Sequence, residues 1–359
     1  MRSRRGGAAV SETPELFSEF GFIAGLRQAC RPRDAMVDLG IGDDCAVLAL
    51  GGGRCLLLTT DMLIDRVHFR LGTLSPFELG MKALAVNLSD IAAMGGRPVC
   101  WLLAAGLTPG LPADFLAELK RGLFSCAERY GADLVGGDTV IARADLCLSL
   151  TVVGESERER LLLRSGAREG DVVFLGRPTG ESAAGLRVVL GEAAGVSEET
   201  RRILRRAHLE PEPQLELGRL LAQEGLSRAA IDVSDGLLQD LGHICEESGL
   251  GAEIDEAAVP LSEPLRRFAA ATGGSALDLA LSGGEDYALL FCVPPESAGR
   301  CRERCRERLG LEVYPIGRMC ARKGLWLRSG TGLREVAPRG YDAFREGLTE
   351  ETPAEADRG

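Results

Sequence analysis

Lysine is almost absent from this sequence: Lys82, Lys120 and Lys323 stand against 39 arginines in 359 residues. None of the three follows a glycine, which excludes the glycine-rich phosphate loop that closes on Gly-Lys. The signature set of protein kinases is missing as well. No apolar run reaches the roughly 20 residues of a membrane-spanning helix. The basic opening Met1-Arg2-Ser3-Arg4-Arg5 has no apolar signal-peptide core behind it. A cytoplasmic protein without membrane contact is the expectation. Histidine is scarce too, at three, and none lies beside a cysteine cluster. The eleven cysteines are odd in number and lack a CxxC pair, which excludes a zinc site and suits reduced thiols. A net charge of −11 leaves no basic surface for a nucleic acid. It does not exclude a small phosphorylated ligand, provided cations mediate. Against so strong a preference for arginine, Lys82 is either a functional residue or a charge on the outer surface of its helix.

What is present is an ordinary globular composition, 45% hydrophobic and 26% charged, in a chain long enough for two domains. A charged link at Ser156 to Arg160 separates an N-terminal domain, 13–155, from a C-terminal one, 160–346. The polar ends, 1–12 and 347–359, read as disordered. The sequence is organised around Ala85 to Gly96, AVNLSDIAAMGG. Upstream, Ser75-Pro76-Phe77-Glu78 supplies a capping serine, a proline at the first helical position and a glutamate at the third. Asn87 and Asp90, three apart, share one face of that helix. A carboxylate in so apolar a helix is costly unless its charge is paired.

Other acidic residues recur where elements end. Asp44 closes the turn Gly40-Ile41-Gly42-Asp43-Asp44, and Thr59-Thr60-Asp61 ends the strand that starts near Arg54. Asp138 follows Gly136-Gly137. Asp232, Ser234 and Asp235 follow the strand AAID and precede a helix from Leu237 to Ser248. Glu285 lies in Leu281-Ser282-Gly283-Gly284-Glu285-Asp286-Tyr287. Ser234 and Asp235 also suit helix caps, whereas Asp232 does not. Singly these are ordinary turns. Together they suggest one oxygen-lined site for a hard cation such as Mg²⁺, which commonly bridges carboxylates to substrate phosphates.

In combination, LGIGDDCAVL, LTTDMLIDRVHF, KALAVNLSDIAAMGG, VGGDT, GESAAGL, IDVSDGLLQDLGHI, LSGGEDYALLF and GYDAF resemble the thiamine-monophosphate kinase family. That family is part of the wider aminoimidazole ribonucleotide synthetase-like superfamily. The resemblance runs from about Asp38 to Phe344 and implies an α+β, two-domain aminoimidazole ribonucleotide synthetase-like fold, with N-terminal sheets pairing in a homodimer. It implies ATP-dependent phosphorylation of thiamine monophosphate to thiamine diphosphate, by direct in-line transfer assisted by several Mg²⁺ ions. Carried over by position, the Mg²⁺ ligands are Asp44, Thr59, Thr60, Asp61, Asp90, Asp138, Asp232 and Asp235, with Asp90 as the central bridge and Asp90 and Asp232 closest to the chemistry. The nucleotide contacts are Tyr130, Gly137, Asp138, Arg164 and Ser234. His68, Glu285 and Tyr341 would receive the thiamine phosphate, the tyrosine ring stacking on the cationic thiazolium.

The segment His208-Leu209-Glu210-Pro211-Glu212-Pro213-Gln214 departs from the family, with glutamate and glutamine where relatives often have arginine. Two other readings stay open. One is an enzyme of the same fold with a different acceptor, disfavoured by SGGEDY and GYDAF. The other is a non-catalytic cation-binding protein, for which Arg164, His68 and Tyr341 would have no purpose.

Overall fold

The computed structural model describes residues 19–341. The terminal segments expected to be disordered lie outside the described residues. The chain opens with α1 (Glu19–Ala29). Then come β1 (Val37–Leu39), β2 (Ala46–Gly51), β3 (Arg54–Ile64), α2 (Pro76–Ala93), β4 (Arg97–Leu107), α3 (Phe115–Tyr130), β5 (Asp133–Ile141) and β6 (Cys147–Glu157). These strands form a six-stranded sheet ordered β1-β2-β3-β6-β4-β5, antiparallel except for β4 beside β5.

Two single turns of 3₁₀ helix, Arg158–Arg160 and Arg164–Gly166, carry the chain into the second half. It holds β7 (Val172–Leu175), α4 (Glu181–Val189), α5 (Glu198–Leu209), α6 (Leu215–Gln223), β8 (Ala229–Asp232), α7 (Leu237–Ser248) and β9 (Gly251–Asp255). After these come α8 (Glu263–Thr272), α9 (Ala276–Ser282), β10 (Leu289–Val293), α10 (Ala298–Leu309), β11 (Tyr314–Cys320), β12 (Gly324–Ser329) and β13 (Gly332–Val336). The second sheet is ordered β13-β12-β9-β11-β7-β10-β8, with β12 and β9 its parallel pair. The expected α+β architecture, with one sheet in each half, is what the chain forms.

Helix α2 begins where its local chemistry dictates. The Ser75 hydroxyl accepts from the Glu78 N–H, the Glu78 carboxylate accepts from the Ser75 N–H, and Pro76 occupies the first turn. Almost every turn of α2 is buried, because it packs on β3 and β6 of the first sheet and on β8 and α6 of the second half. One hydrophobic core therefore runs through α2 from the first sheet to Phe174, Leu217 and Phe291. The α2–α3 contact is close because it is made of glycines. A Cβ on Gly80 would sit 2.3 Å from the Leu119 carbonyl oxygen, and one on Gly122 would sit 2.1 Å from that of Phe77. In α3, Leu119, Leu123 and Cys126 are buried as their spacing predicts, but Leu116 is half-exposed.

All eleven cysteines are free thiols. Among the described residues no helix is long and apolar enough to cross a membrane.

Candidate active site

The seam between the halves, beside α2, gathers the acids. On β3 the side chains alternate: Thr59 is buried facing α2, where its hydroxyl donates to Asp90 Oδ2. Asn87, fully buried, explains its place on the same helical face. Its Oδ1 accepts from the Asp61 N–H at 3.0 Å, and its Nδ2 donates to the Ala83 carbonyl at 3.0 Å, so α2 is locked to the end of β3. Asp232 ends β8 on the other side of α2 and is 2% exposed. The glycine turn before β2 brings Asp44. Asp43 ties that turn to the second half by accepting from the Arg164 N–H at 3.1 Å, and the Arg164 guanidinium donates to Asp44. Carboxylate oxygens of Asp44, Asp90 and Asp232 lie within 4.8 Å of one another.

Burial and mutual repulsion raise these carboxyls. Burial is the larger cause at each: Asp232 is pushed up to about 7, Asp61 to about 6, and Asp90 well above the ordinary range, its neighbours Asp61, Asp232 and Asp44 adding to the push. Asp44 is also raised, against the pull of Arg164. Two unit charges 4.8 Å apart repel by about 3 kcal/mol at an effective dielectric constant near 20. Three such pairs approach the whole stability of an ordinary domain, and Arg164 supplies one positive charge. In addition, Asp44 Oδ2 and Asp232 Oδ2 are buried without a hydrogen-bond partner. Carboxylates converging from three elements, two of them with an orphaned oxygen, make a donor set suited to a hard divalent cation. Mg²⁺ fits the residues present.

A second group adjoins the first. Glu285 is reached by the Lys82 ammonium, 3.1 Å from Oε1 and 3.2 Å from Oε2, and by His208 Nδ1 at 3.2 Å. His208 Nδ1 also lies 3.1 Å from the Ser182 hydroxyl. His68, whose Nδ1 accepts from the Ile64 N–H at 3.1 Å, feels the charges of both Glu285 and Lys82. The Glu285 N–H donates to the Ser234 carbonyl at 2.6 Å, and the Tyr341 N–H donates to the Asp235 carbonyl at 3.0 Å. His68, Ser234, Asp235, Glu285 and Tyr341 are thereby assembled at one edge of the carboxylate cluster.

Lys82 is 1% exposed, which removes the reading of a charge on the helix surface. His208 and Gln214, from the departing segment, have definite places. Gln214 Oε1 accepts from the Leu289 N–H at 2.8 Å, and its Nε2 donates to the Gly176 carbonyl at 3.1 Å. Neither Ser234 nor Asp235 caps α7: the Asp240 carboxylate reaches back to accept from the Asp235 and Gly236 N–H groups at 3.2 and 3.0 Å. The Asp235 carboxylate gathers instead with Asp240 and His243. His208 and Asp43 are the site residues that sequence reasoning did not place, while Lys82 had been left open between a functional and a surface role.

Three expected contacts are not joined to the cluster within this chain. Thr60 faces the opposite side of β3 from Thr59, and its hydroxyl donates to the Leu150 carbonyl at 2.9 Å. Asp138 is exposed on β5 in register with Ala104, and through β6 with the half-exposed Met62, on that same uncovered side. Tyr130 lines a separate groove of about 560 Å³ with Arg177 and Gln214, and none of the clustered carboxylates borders it. Gly137 has a packing reason, since a Cβ there would lie 1.9 Å from the Leu103 carbonyl oxygen on β4.

Comparison with known proteins finds relatives along most of the chain. The family of AIR synthase related proteins matches through its N-terminal domain at residues 42–156 and through its C-terminal domain at 168–328. A thiamine-monophosphate kinase of Salmonella typhimurium is 41% identical over 329 residues, 91% of this chain and 98% of that one. Among solved structures, AaThiL complexed with AMPPCP and TMP superimposes with a TM-score of 0.81 at 31% identity, covering 93% of this chain and 99% of its own. Thiamine monophosphate kinase from Aquifex aeolicus gives a TM-score of 0.75 at 30% identity, covering 89% and 98%.

Proposed function

The chain belongs to the AIR synthase related protein family as a thiamine-monophosphate kinase, and from that premise we propose an in-line transfer assisted by several Mg²⁺ ions. The γ-phosphoryl group of ATP passes directly to the phosphate of thiamine monophosphate. The observation that carries the reading is the converging set Asp44, Asp90 and Asp232, with orphaned oxygens on Asp44 and Asp232, next to the His68–Glu285 group.

The acceptor shapes the chemistry. A phosphate monoester has a second pKa near ~6 and is already largely dianionic at neutral pH. It needs no general base and no covalent enzyme intermediate. The residual task is to position two anions and offset their repulsion. Asp44, Thr59, Asp61, Asp90, Asp232 and Asp235 are the residues that would hold Mg²⁺, with Asp90 and Asp232 nearest the reacting phosphates. Bound there, such cations would supply the charge that offsets the phosphates' repulsion. Arg164 and Ser234 would meet the nucleotide's anionic end. Glu285 would offer a negative charge, and Tyr341 a ring, to the cationic half of the acceptor.

The test is an incubation with ATP, Mg²⁺ and thiamine monophosphate, measuring thiamine diphosphate and ADP together. Equal amounts of both are expected. ADP without thiamine diphosphate, or product from free thiamine only, would contradict the proposal.

We also propose that two copies pair through the first sheet. Every residue of β5 is exposed, among them Val135, Val140 and Ile141 at 60, 56 and 77%. An unpaired, apolar edge strand invites pairing with another chain. Thr60 and Asp138 lie on the uncovered side, so a ligand role for either depends on that pairing. The expected result is a dimer in sedimentation, converted to a monomer by Val135→Arg with Ile141→Glu. A monomeric wild type at ~10 μM would remove the proposal.

A further inference from the structure

Lys82 sits in α2 with 1% of its surface exposed, and its ammonium contacts both oxygens of Glu285. Stability does not account for it. Exchanging a buried ion pair for apolar side chains of similar volume is often neutral or stabilising. The partner is unusual in its own right. Glu285 has a backbone φ of 62°, a left-handed conformation that is strained for a non-glycine residue and persists only where surroundings enforce it. Its side chain keeps 29% exposure, so one edge is held from inside and another faces the site.

We propose that Lys82 is a positioning residue: its buried ammonium aims the Glu285 carboxylate at the cationic half of the acceptor, with His208 fixing the second oxygen. This rests on the thiamine-monophosphate kinase reading and adds to it a residue that touches neither substrate. The groups facing Glu285 are Lys82 from α2, His208 from α5, His68 from the segment after β3 and Tyr287 from its own segment. Burial pushes the Glu285 carboxyl up, while Lys82 and the two histidines outweigh it and hold the carboxyl below its ordinary value. Without the ammonium, burial prevails and Glu285 takes up its proton at a higher pH. Acceptor affinity should then fail earlier on acidification.

The experiment compares wild type, K82M, K82R, E285Q and K82M/E285Q in steady-state assays from pH 5.5 to 8.5. Wild type that forms no thiamine diphosphate would remove the underlying reading; the comparisons among variants judge Lys82. In K82M the KM for thiamine monophosphate should rise about thirtyfold, with the KM for ATP changed by less than about twofold. The acidic limb of kcat/KM for thiamine monophosphate should move to higher pH, and K82R should restore most of the KM. In the E285Q background, K82M should add less than about twofold, because the group it aims is already neutral. Equal loss for both substrates with an unmoved pH profile would mean a merely structural lysine. A full additional loss in the double variant would mean that Lys82 meets the substrate itself; either result overturns the proposal. Should K82M fail to fold, the double variant, in which no buried charge is left unpaired, carries the comparison against E285Q.

Discussion

Asp90→Asn should lower kcat by at least about a thousandfold, equivalent to some 4 kcal/mol of transition-state stabilisation, and still melt at a higher temperature than wild type without Mg²⁺. Both effects have one cause. Asp90 is held among Asp44, Asp61 and Asp232, and its carboxyl is raised well above the ordinary range by burial first and by those neighbours second. A carboxyl raised on folding contributes its full stability below the unfolded value near 4 and loses it as pH rises toward the folded value. At pH 7.5 the unfolded chain ionises freely, while the folded chain must carry or suppress the charge. Asparagine keeps the shape and an oxygen to accept from the Thr59 hydroxyl, and removes the charge. The apo protein gains stability, worth about 1 °C per kcal/mol for a chain of 359 residues, while the cation site loses its centre. Differential scanning fluorimetry with and without MgCl₂ checks both. Wild type should be stabilised by Mg²⁺, and Asp90→Asn should start higher and not respond. Turnover within tenfold of wild type, or an intact Mg²⁺ response, would remove Asp90 from the site.

The parts of this arrangement that could be read in the sequence are those with local causes. The capping box at Ser75–Glu78 and the helix Leu237–Ser248 announce themselves within a few residues. Asp90 is conspicuous because a charge interrupts an apolar helix, and Asp44 and Asp232 because they follow tight turns or a buried strand. Helix α8 has equally local signals, a Ser262 cap, Pro264 and buried Leu265 and Phe268, yet it is missing from the sequence-based expectation. The short edge strands β1 and β13 have too few residues to display a period. The scarcity of lysine flagged Lys82, but neither its role nor that of His208 was legible, because their meaning is Glu285, which lies 203 residues after the lysine. Thr60 shows the opposite case. Period-two alternation already says that Thr59 and Thr60 cannot face the same way, and their hydroxyls bond on opposite sides of the sheet.

The second large effect should come from a residue that touches no substrate. Gly218 in α6 meets the C-terminal end of α2 so closely that a Cβ would lie 2.0 Å from the Ala92 carbonyl oxygen. Its backbone is helical, so a side chain brings no conformational strain; the penalty is contact alone, about 1–3 kcal/mol for forcing extra volume into a packed interface. Ala92 stands two residues beyond Asp90, and α2 is also packed on β8, which ends at Asp232. Gly218→Val should therefore wedge α6 from α2 and spread the carboxylates that share the cation. A displacement near 1 Å costs about a hundredfold in a reaction that depends on positioning. The expected variant has wild-type far-UV circular dichroism, kcat reduced about a hundredfold and a smaller Mg²⁺-induced rise in melting temperature. Gly299→Ala in α10, where a Cβ meets nothing within 4 Å, is the control that should leave activity unchanged. Wild-type turnover in Gly218→Val would show that the α2–α6 contact does not set the spacing of Asp90 and Asp232.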